Sequence, residues 1–130
     1  MRGYLGVTAL EVQELLSAQE IDVAEIYAPS AHFLSSNSDL DEEEVEFTLT
    51  MLAAEEALEV KGSEPGAACV LAFEIPESLI SEELEISIVL LSPLKWEYLE
   101  ALFEVSPDGE ELTWYATQEI EAILPELLLK

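Results

Sequence analysis

One nearly unbroken apolar stretch dominates the sequence: Ala68-Cys69-Val70-Leu71-Ala72-Phe73-Glu74-Ile75, which Pro76 ends. Its length and its β-branched and aromatic residues favour a strand. A strand that shows no polar alternation is usually covered on both of its faces. This stretch therefore predicts a central strand, around which the rest of the fold is arranged.

Four other segments have strand patterns. Residues 84–91 place Leu84, Ile86, Ile88 and Leu90 on one face, opposite Glu85 and Ser87. Residues 98–105 also alternate, and the turn residues 107–109 join them to residues 112–117, which predicts a hairpin. Residues 2–7 read as a first strand. Strands with one polar face are typical of an antiparallel sheet that is packed on one side only.

Helix signals stand between these strands. Thr8-x-x-Glu11 is a capping box that starts a first helix. The strongest helix is predicted over residues 40–61, with Ser38 or Asp39 as its cap, acids in its first turns and Gly62 after its end. A short helix is expected over 118–124, where Pro125 breaks the pattern. Residues 21–37 read as an irregular loop.

The predicted helix over residues 40–61 has two apolar faces. The sheet and the first helix can cover both faces. Alternatively, a second copy of the chain covers the second face, which predicts a homodimer. One face holds Leu40, Phe47, Met51, Ala54 and Leu58, and the other holds Val45, Leu49 and Leu52. The resulting architecture is a single α+β domain over 1–130, with an antiparallel or mixed sheet of about five strands and two main helices on one face.

The charge limits the classes of function. The chain has 130 residues, with 29 Asp and Glu against 4 Lys and Arg, a formal charge of −25. Half of the residues are apolar, so the chain is expected to fold despite that charge. Four basic residues are too few for direct binding of nucleic acid or of an anionic membrane. No signal peptide or membrane span is recognisable, so we expect a cytoplasmic protein.

Residues for catalysis or metal binding are scarce. His32 is the only imidazole, and Cys69 is the only thiol and lies in a strand expected to be buried. Asp39-x-Asp41-x-Glu43 resembles the start of a calcium loop, but Glu44 and Thr50 stand where that loop needs Gly and Glu. We therefore predict no catalytic residue, no cofactor and no dedicated metal site.

The polar face of the sheet and the Trp114-Tyr115 pair are the features that call for a partner. On a strand the two rings point to opposite faces, so one of them is expected among carboxylates, where it can recognise a cationic group. The alternative is a solvated polar face with both rings packed under loops. The predicted partner-binding residues are Glu85, Glu100, Glu104, Trp114, Tyr115, Gln118 and Glu119.

Several short motifs resemble an uncharacterised family of small acidic actinobacterial proteins, a domain of unknown function. They are Met1-Arg2-x-Tyr4-x-x-x-Thr8, residues 70–76, Ser92-Pro93-Leu94 and, most specifically, Leu112-Thr-Trp-Tyr-Ala-Thr-Gln-Glu-Ile120. Gly6 departs from the family pattern, which has Pro there, and the segment between Val105 and Leu112 is shorter than in members with an extra helix. The resemblance implies an intracellular bacterial protein and brings no known reaction.

Three functions follow from these observations. The first is a non-enzymatic interaction module that docks a basic protein surface, which the charge favours. The second is a nucleic-acid mimic that occupies a DNA- or RNA-binding protein, and this needs carboxylates in a phosphate-like row. The third is a small carboxylate-dependent hydrolase, with or without a divalent metal, and this needs a concave pocket with buried acids.

Overall fold

A seven-stranded antiparallel sheet forms the centre of the computed structural model, which describes residues 1–130. The strand order is β5-β6-β3-β1-β4-β8-β9, so the apolar stretch identified above occupies an interior position, as predicted. A second, two-stranded sheet pairs β2 with β7. The strands are β1 (Arg2–Thr8), β2 (Glu20–Ile21), β3 (Glu25–Tyr27), β4 (Ala68–Glu74), β5 (Ile80–Glu83), β6 (Ser87–Leu90), β7 (Leu94–Lys95), β8 (Leu99–Val105) and β9 (Leu112–Ala116).

Four helices accompany the sheet: α1 (Ala9–Ala18), α2 (Ala31–Ser36), α3 (Glu42–Lys61) and α4 (Ile120–Leu129). The capping box at Thr8 is confirmed, since the Thr8 hydroxyl accepts from Glu11 N–H and the Glu11 carboxylate accepts from Thr8 N–H. α3 begins two residues later than predicted. Asp41 caps it, instead of Ser38 or Asp39, in a second capping box with Glu44.

Helices cover both faces of the sheet, so the prediction of helices on one face is wrong. α1 and α4 pack on one face, which we call the α1 side, with Leu71 and Phe73 of β4. α3 packs on the other face, the α3 side, with Val70 and Ala72. The α+β class and the antiparallel sheet are confirmed, with seven strands and four helices in place of about five and two. The reason for the two-sided packing is visible in β4, whose alternate residues are apolar in both directions.

The buried stripe of α3 runs between the two apolar faces that the sequence suggested. Its middle is formed by Ala53 and Ala57, which are fully buried against β1. Gly6 of β1 allows this close approach, because a Cβ there would lie 2.3 Å from the carbonyl oxygen of Ala53. Val45 and Leu49, from the expected second face, are buried in the same core. The surface expected to form a homodimer is therefore used inside the chain.

Two local predictions are wrong. Residues 21–37 are not irregular, since they contain β3 and α2. Pro125 does not end the last helix, because α4 continues to Leu129. A proline inside a helix costs about 3 kcal/mol. Burial of Leu124 and Leu127 against the α1-side core offsets this cost, at roughly 2 kcal/mol for each side chain.

The hairpin of β8 and β9 is confirmed. Gly109 has a φ of 77° in its turn, and the Asp108 carboxylate accepts from the Ser106 hydroxyl and from Glu110 N–H. These two hydrogen bonds lower the pKa of Asp108. None of the helices combines the length and the apolar composition needed to cross a bilayer.

Candidate functional site

The predicted partner-binding carboxylates do not form one cluster. Glu85 follows β5 at one end of the sheet, whereas Glu100 and Glu104 lie on β8 near the other end. Four strand spacings of about 4.8 Å separate β6 from β8, roughly 19 Å in total. The three carboxylates therefore do not form a single acidic patch, because the sheet order places three strands between β6 and β8.

The two carboxylates on β8 have separate environments. Ala72 pairs with Ala101 and Phe73 with Leu99, which leaves Glu100 as the extra, exposed residue of a β-bulge. Glu104 points to the α1 side, where its carboxylate accepts from Lys130 Nζ at 2.6 Å. This hydrogen bond raises the pKa of Lys130. Glu104 therefore already has a cationic partner within the chain.

Trp114 and Tyr115 point to opposite faces, as the sequence predicts. Tyr115 is half-buried against the α1-side core. Trp114 is 56 % exposed on the α3 side, where it pairs with Phe103 of β8 and not with a carboxylate. Gln118 is exposed, and the Glu119 carboxylate accepts from Ala116 N–H at 2.8 Å, so it holds the chain after β9. The structure thus leaves Trp114 as an exposed aromatic with apolar neighbours.

The largest concave surface lies elsewhere, at the end of the sheet where β1 begins and β4 ends. We call it the acidic cleft. It has a volume of about 710 Å³ and is open to solvent. β1 and β4 form one wall, and the chain from α2 to the start of α3 forms the other. It is lined by Met1, Arg2, Tyr4, Pro29, Leu34, Leu40, Asp41, Glu42, Val45, Glu46, Leu49, Glu74 and Glu77.

The floor of the acidic cleft is apolar. Tyr4, Val45 and Leu49 form it, and each is buried in the α3-side core. Leu34 of α2 stands on the wall and is 46 % exposed. Leu40, just before α3, is half-buried. An apolar floor with partly exposed walls offers contact area to a side chain that enters from solvent.

The rim of the acidic cleft is charged. Asp41, Glu42, Glu46, Glu74 and Glu77 are all exposed around it. The carboxylates of Glu42, Glu46 and Glu77 form no ion pair within the chain, because the only two ion pairs are Met1 amine to Glu74 and Lys130 to Glu104. These three charges are therefore free to meet a cation from outside.

Arg2 adds one positive charge to the acidic cleft. It lies opposite Glu74 in the strand register, but the Glu74 carboxylate accepts from the Met1 amine. The Nε atom of Arg2 is buried and has no hydrogen-bond partner. Burial, and after it the charge of Glu46, raises the pKa of the neighbouring Tyr4 to about 12, so that its hydroxyl stays protonated at neutral pH.

The one cysteine and the one histidine belong to different sides of the sheet. Cys69 is buried in the α1-side core, and its desolvation raises the pKa of its thiol to about 12. His32 is exposed on α2, beside Phe33, which belongs to the α3-side core. Cys69 and His32 are therefore on different sides of the sheet and do not meet. No three His, Cys, Asp or Glu side chains are grouped as a metal site.

Two half-buried acids lie in a smaller cavity of about 240 Å³ beside β1, and both are bound to backbone. The Glu56 carboxylate accepts from Gly6 N–H at 2.9 Å, and the Glu11 carboxylate from Thr8 N–H. Desolvation raises the pKa of Glu56, partly offset by the Gly6 hydrogen bond. Tyr4 is the one residue of β1 that pairs with β3. Beyond it, Glu56 and Glu11 accept from the backbone N–H groups of Gly6 and Thr8.

The sequence indicated only one part of the acidic cleft, the acids at the start of α3. The acids from Asp41 to Glu46 were visible as a cluster at a helix start. Nothing in the sequence joins them to Arg2, Glu74 and Glu77, because that proximity depends on the pairing of β1 with β4 and on the position of α3 across both strands.

The chain belongs to DUF6912, a family of unknown function, whose model matches residues 1–108. The match covers the whole acidic cleft and ends before β9, so the motif around Trp114 lies outside it. Neither the curated proteins nor the solved structures include one with significant similarity to the chain.

Proposed function

We propose that this member of the DUF6912 family is a non-enzymatic interaction module that docks a basic segment of a partner protein in the acidic cleft. The observation that carries the proposal is the combination of an apolar floor with a rim that holds three unpaired carboxylates. An apolar side chain of the partner would contact Tyr4 and Leu49, while neighbouring Lys or Arg side chains would meet Glu42, Glu46 and Glu77.

The charge of the whole chain supports the same kind of partner. A formal charge of −25 raises the rate of encounter with a basic protein and disfavours acidic ones. The partner is expected in the cytoplasm, the compartment that the sequence suggests. Arg2 has a local role in this proposal: its guanidinium would donate to a backbone carbonyl of the docked segment, which would fix the position of that segment in the cleft.

Affinity capture from a lysate of the native host tests the proposal. The wild type is compared with the double variant Glu46→Gln/Glu77→Gln, which removes one carboxylate from each wall of the acidic cleft. The matched control is Glu14→Gln/Glu121→Gln, two exposed acids on α1 and α4, on the other side of the sheet. Both variants lose the same charge, so they differ only in where it is lost.

We expect a partner that the wild type and the control retain at low salt, that high salt releases, and that the cleft variant loses. Equal capture by the cleft variant and the control would show that the acidic cleft is not the docking site. Absence of any salt-sensitive partner would contradict the proposal as a whole.

The nucleic-acid mimic is a special case that the same experiment separates. Duplex DNA added in excess would release the partner if the chain occupied a DNA-binding surface. The structure offers no feature that favours this alternative, since the acids of α3 are interrupted by the uncharged residues 47–54. No specific observation favours the hydrolase either, because the half-buried acids Glu11 and Glu56 are held by backbone N–H groups.

A further inference from the structure

The two edges of the main sheet differ in their protection. β5 forms one edge, where Ser81 is the extra residue of a bulge and Glu82 and Glu83 add charge. Bulges and charged side chains are the usual means of preventing an edge strand from pairing with another chain. β9 forms the other edge and has neither, and only its last N–H, that of Ala116, is already bonded to a side chain, the Glu119 carboxylate. Its five residues, Leu-Thr-Trp-Tyr-Ala, carry no charge and no proline, and they pair with β8 in an unbroken register.

The exposed face of β9 is suited to packing against an additional strand. Leu112, Trp114 and Ala116 alternate onto the α3 side, and Trp114 is more than half exposed beside Phe103. An added strand would place one of its side chains next to this ring. Aromatic–aliphatic contacts between neighbouring strands stabilise a sheet, and exposed Trp residues are frequent anchors of interfaces.

We infer that β9 is a site of strand addition, where an extended basic segment of another protein extends the sheet to eight strands. Charge determines the occupant. Glu110 and Glu111 come directly before β9, and Glu119 follows it, so both ends of the added strand would lie near carboxylates. A second copy of this chain would bring the same carboxylates and a further charge of −25. Lys or Arg residues at both ends of the added segment would instead neutralise them.

The geometry sets the length of that segment. Five paired residues span about 14 Å from the first Cα to the last, since an antiparallel strand rises about 3.4 Å per residue. The fitting segment therefore has about five extended residues with apolar side chains on alternate positions, flanked by basic residues. The site is separate from the acidic cleft and does not depend on it.

A synthetic peptide of nine residues, Lys-Lys-Thr-Val-Thr-Val-Thr-Lys-Lys, provides the probe. Its control has the same sequence with N-methyl groups on the five central amides, which keeps the charge and removes the N–H donors on both edges of the strand. Two measurements apply to the full chain. Amide hydrogen exchange by NMR reports protection at residues 112–116, and Trp fluorescence in a Trp96→Phe background reports on Trp114 alone.

We expect the unmodified peptide to protect those amides of β9 that face away from β8 and to shift the Trp114 emission, with weaker binding at high salt. Trp114→Ser should weaken binding about thirtyfold, as for an aromatic anchor. Because Trp114 is exposed, this variant should fold, which circular dichroism checks. The cleft variant Glu46→Gln/Glu77→Gln should bind the peptide as the wild type does, so failure of this site and failure of the acidic cleft are distinguishable.

Several results would overturn the inference. Equal binding of the N-methylated peptide would show that charge alone attracts the probe. Protection at the acidic cleft instead of at residues 112–116 would place the peptide elsewhere. Absence of binding at millimolar peptide would remove the site. Protection without peptide of the β9 amides that face away from β8, together with a dimer in analytical ultracentrifugation, would show that the occupant is a second copy.

Discussion

Substitution of Gly6 by Ala tests the packing of α3 on the sheet. The added Cβ would lie 2.3 Å from the carbonyl oxygen of Ala53 and 2.6 Å from the backbone nitrogen of Ala57. Both obstacles are helix backbone, which cannot turn away as a side chain can. Ordinary contact begins at 3.4 Å, so α3 must retreat by about 1.1 Å or β1 must bend by as much.

The structure allows an estimate of the cost. Val45, Leu49 and the three buried alanines of α3 contribute roughly 6 kcal/mol by burial. A gap of about 1 Å forfeits between a quarter and a half of the attraction across an interface, which gives about 1.5–3 kcal/mol. This is a large share of the roughly 5–15 kcal/mol by which a domain is stable. Gly6 N–H would also lose its geometry toward Glu56.

Urea denaturation, followed by circular dichroism, measures the change in the free energy of unfolding. Gly3→Ala is the matched control on the same strand. Its Cβ would meet the Cδ1 atom of Ile75 at 2.6 Å, the end of a flexible side chain that can adopt another rotamer at a cost of about 1 kcal/mol. The reasoning is refuted if Gly6→Ala destabilises the protein no more than Gly3→Ala does.

Three further predictions concern single side chains. Glu56→Gln should stabilise the protein at pH 7, because the raised pKa of Glu56 means that its charged form weakens the folded state. This advantage should fade as pH falls through the raised pKa and be gone below the ordinary value of 4.5, so an unchanged difference between thermal melts at pH 7 and pH 4 would show that burial does not act on this group. Pro125→Ala should raise the free energy of unfolding by about 1 kcal/mol or more, since it restores a helical N–H donor, and a loss of stability in urea would contradict that reason. The Cys69 thiol is fully buried, and its pKa is raised to about 12. It should therefore react with a thiol reagent only as fast as the protein unfolds locally, and reaction at the rate of a free thiol would show that the α1-side core is not closed.

Local signals in the sequence predicted single elements well. The capping box at Thr8, the strand over 68–75 and the hairpin of residues 98–117 each depend on neighbours along the chain, and each is present. The opposite orientation of Trp114 and Tyr115 follows from strand geometry alone, and it is confirmed. Physical rules with a range of a few residues were sufficient for these features.

Predictions that required distant residues to meet were less successful. Glu85 was grouped with Glu100 because both lie on alternating strands, although the sheet order places β3, β1 and β4 between those strands. α3 was given two separate apolar faces because its large side chains suggested them. Its buried stripe is centred on Ala53 and Ala57, small residues whose burial depends on the glycine opposite them.

The sequence by itself determined the α+β class, the antiparallel sheet, the central position of residues 68–75 and the acidity of the surface, because composition, periodicity and capping act locally. Only the tertiary structure decided that helices cover both faces, that the acids at the start of α3 share a cleft with Arg2, and that β9 is an edge strand without a bulge or a charged residue. Strand order and helix placement bring together residues such as Arg2 and Glu46, and no local rule specifies those long-range contacts.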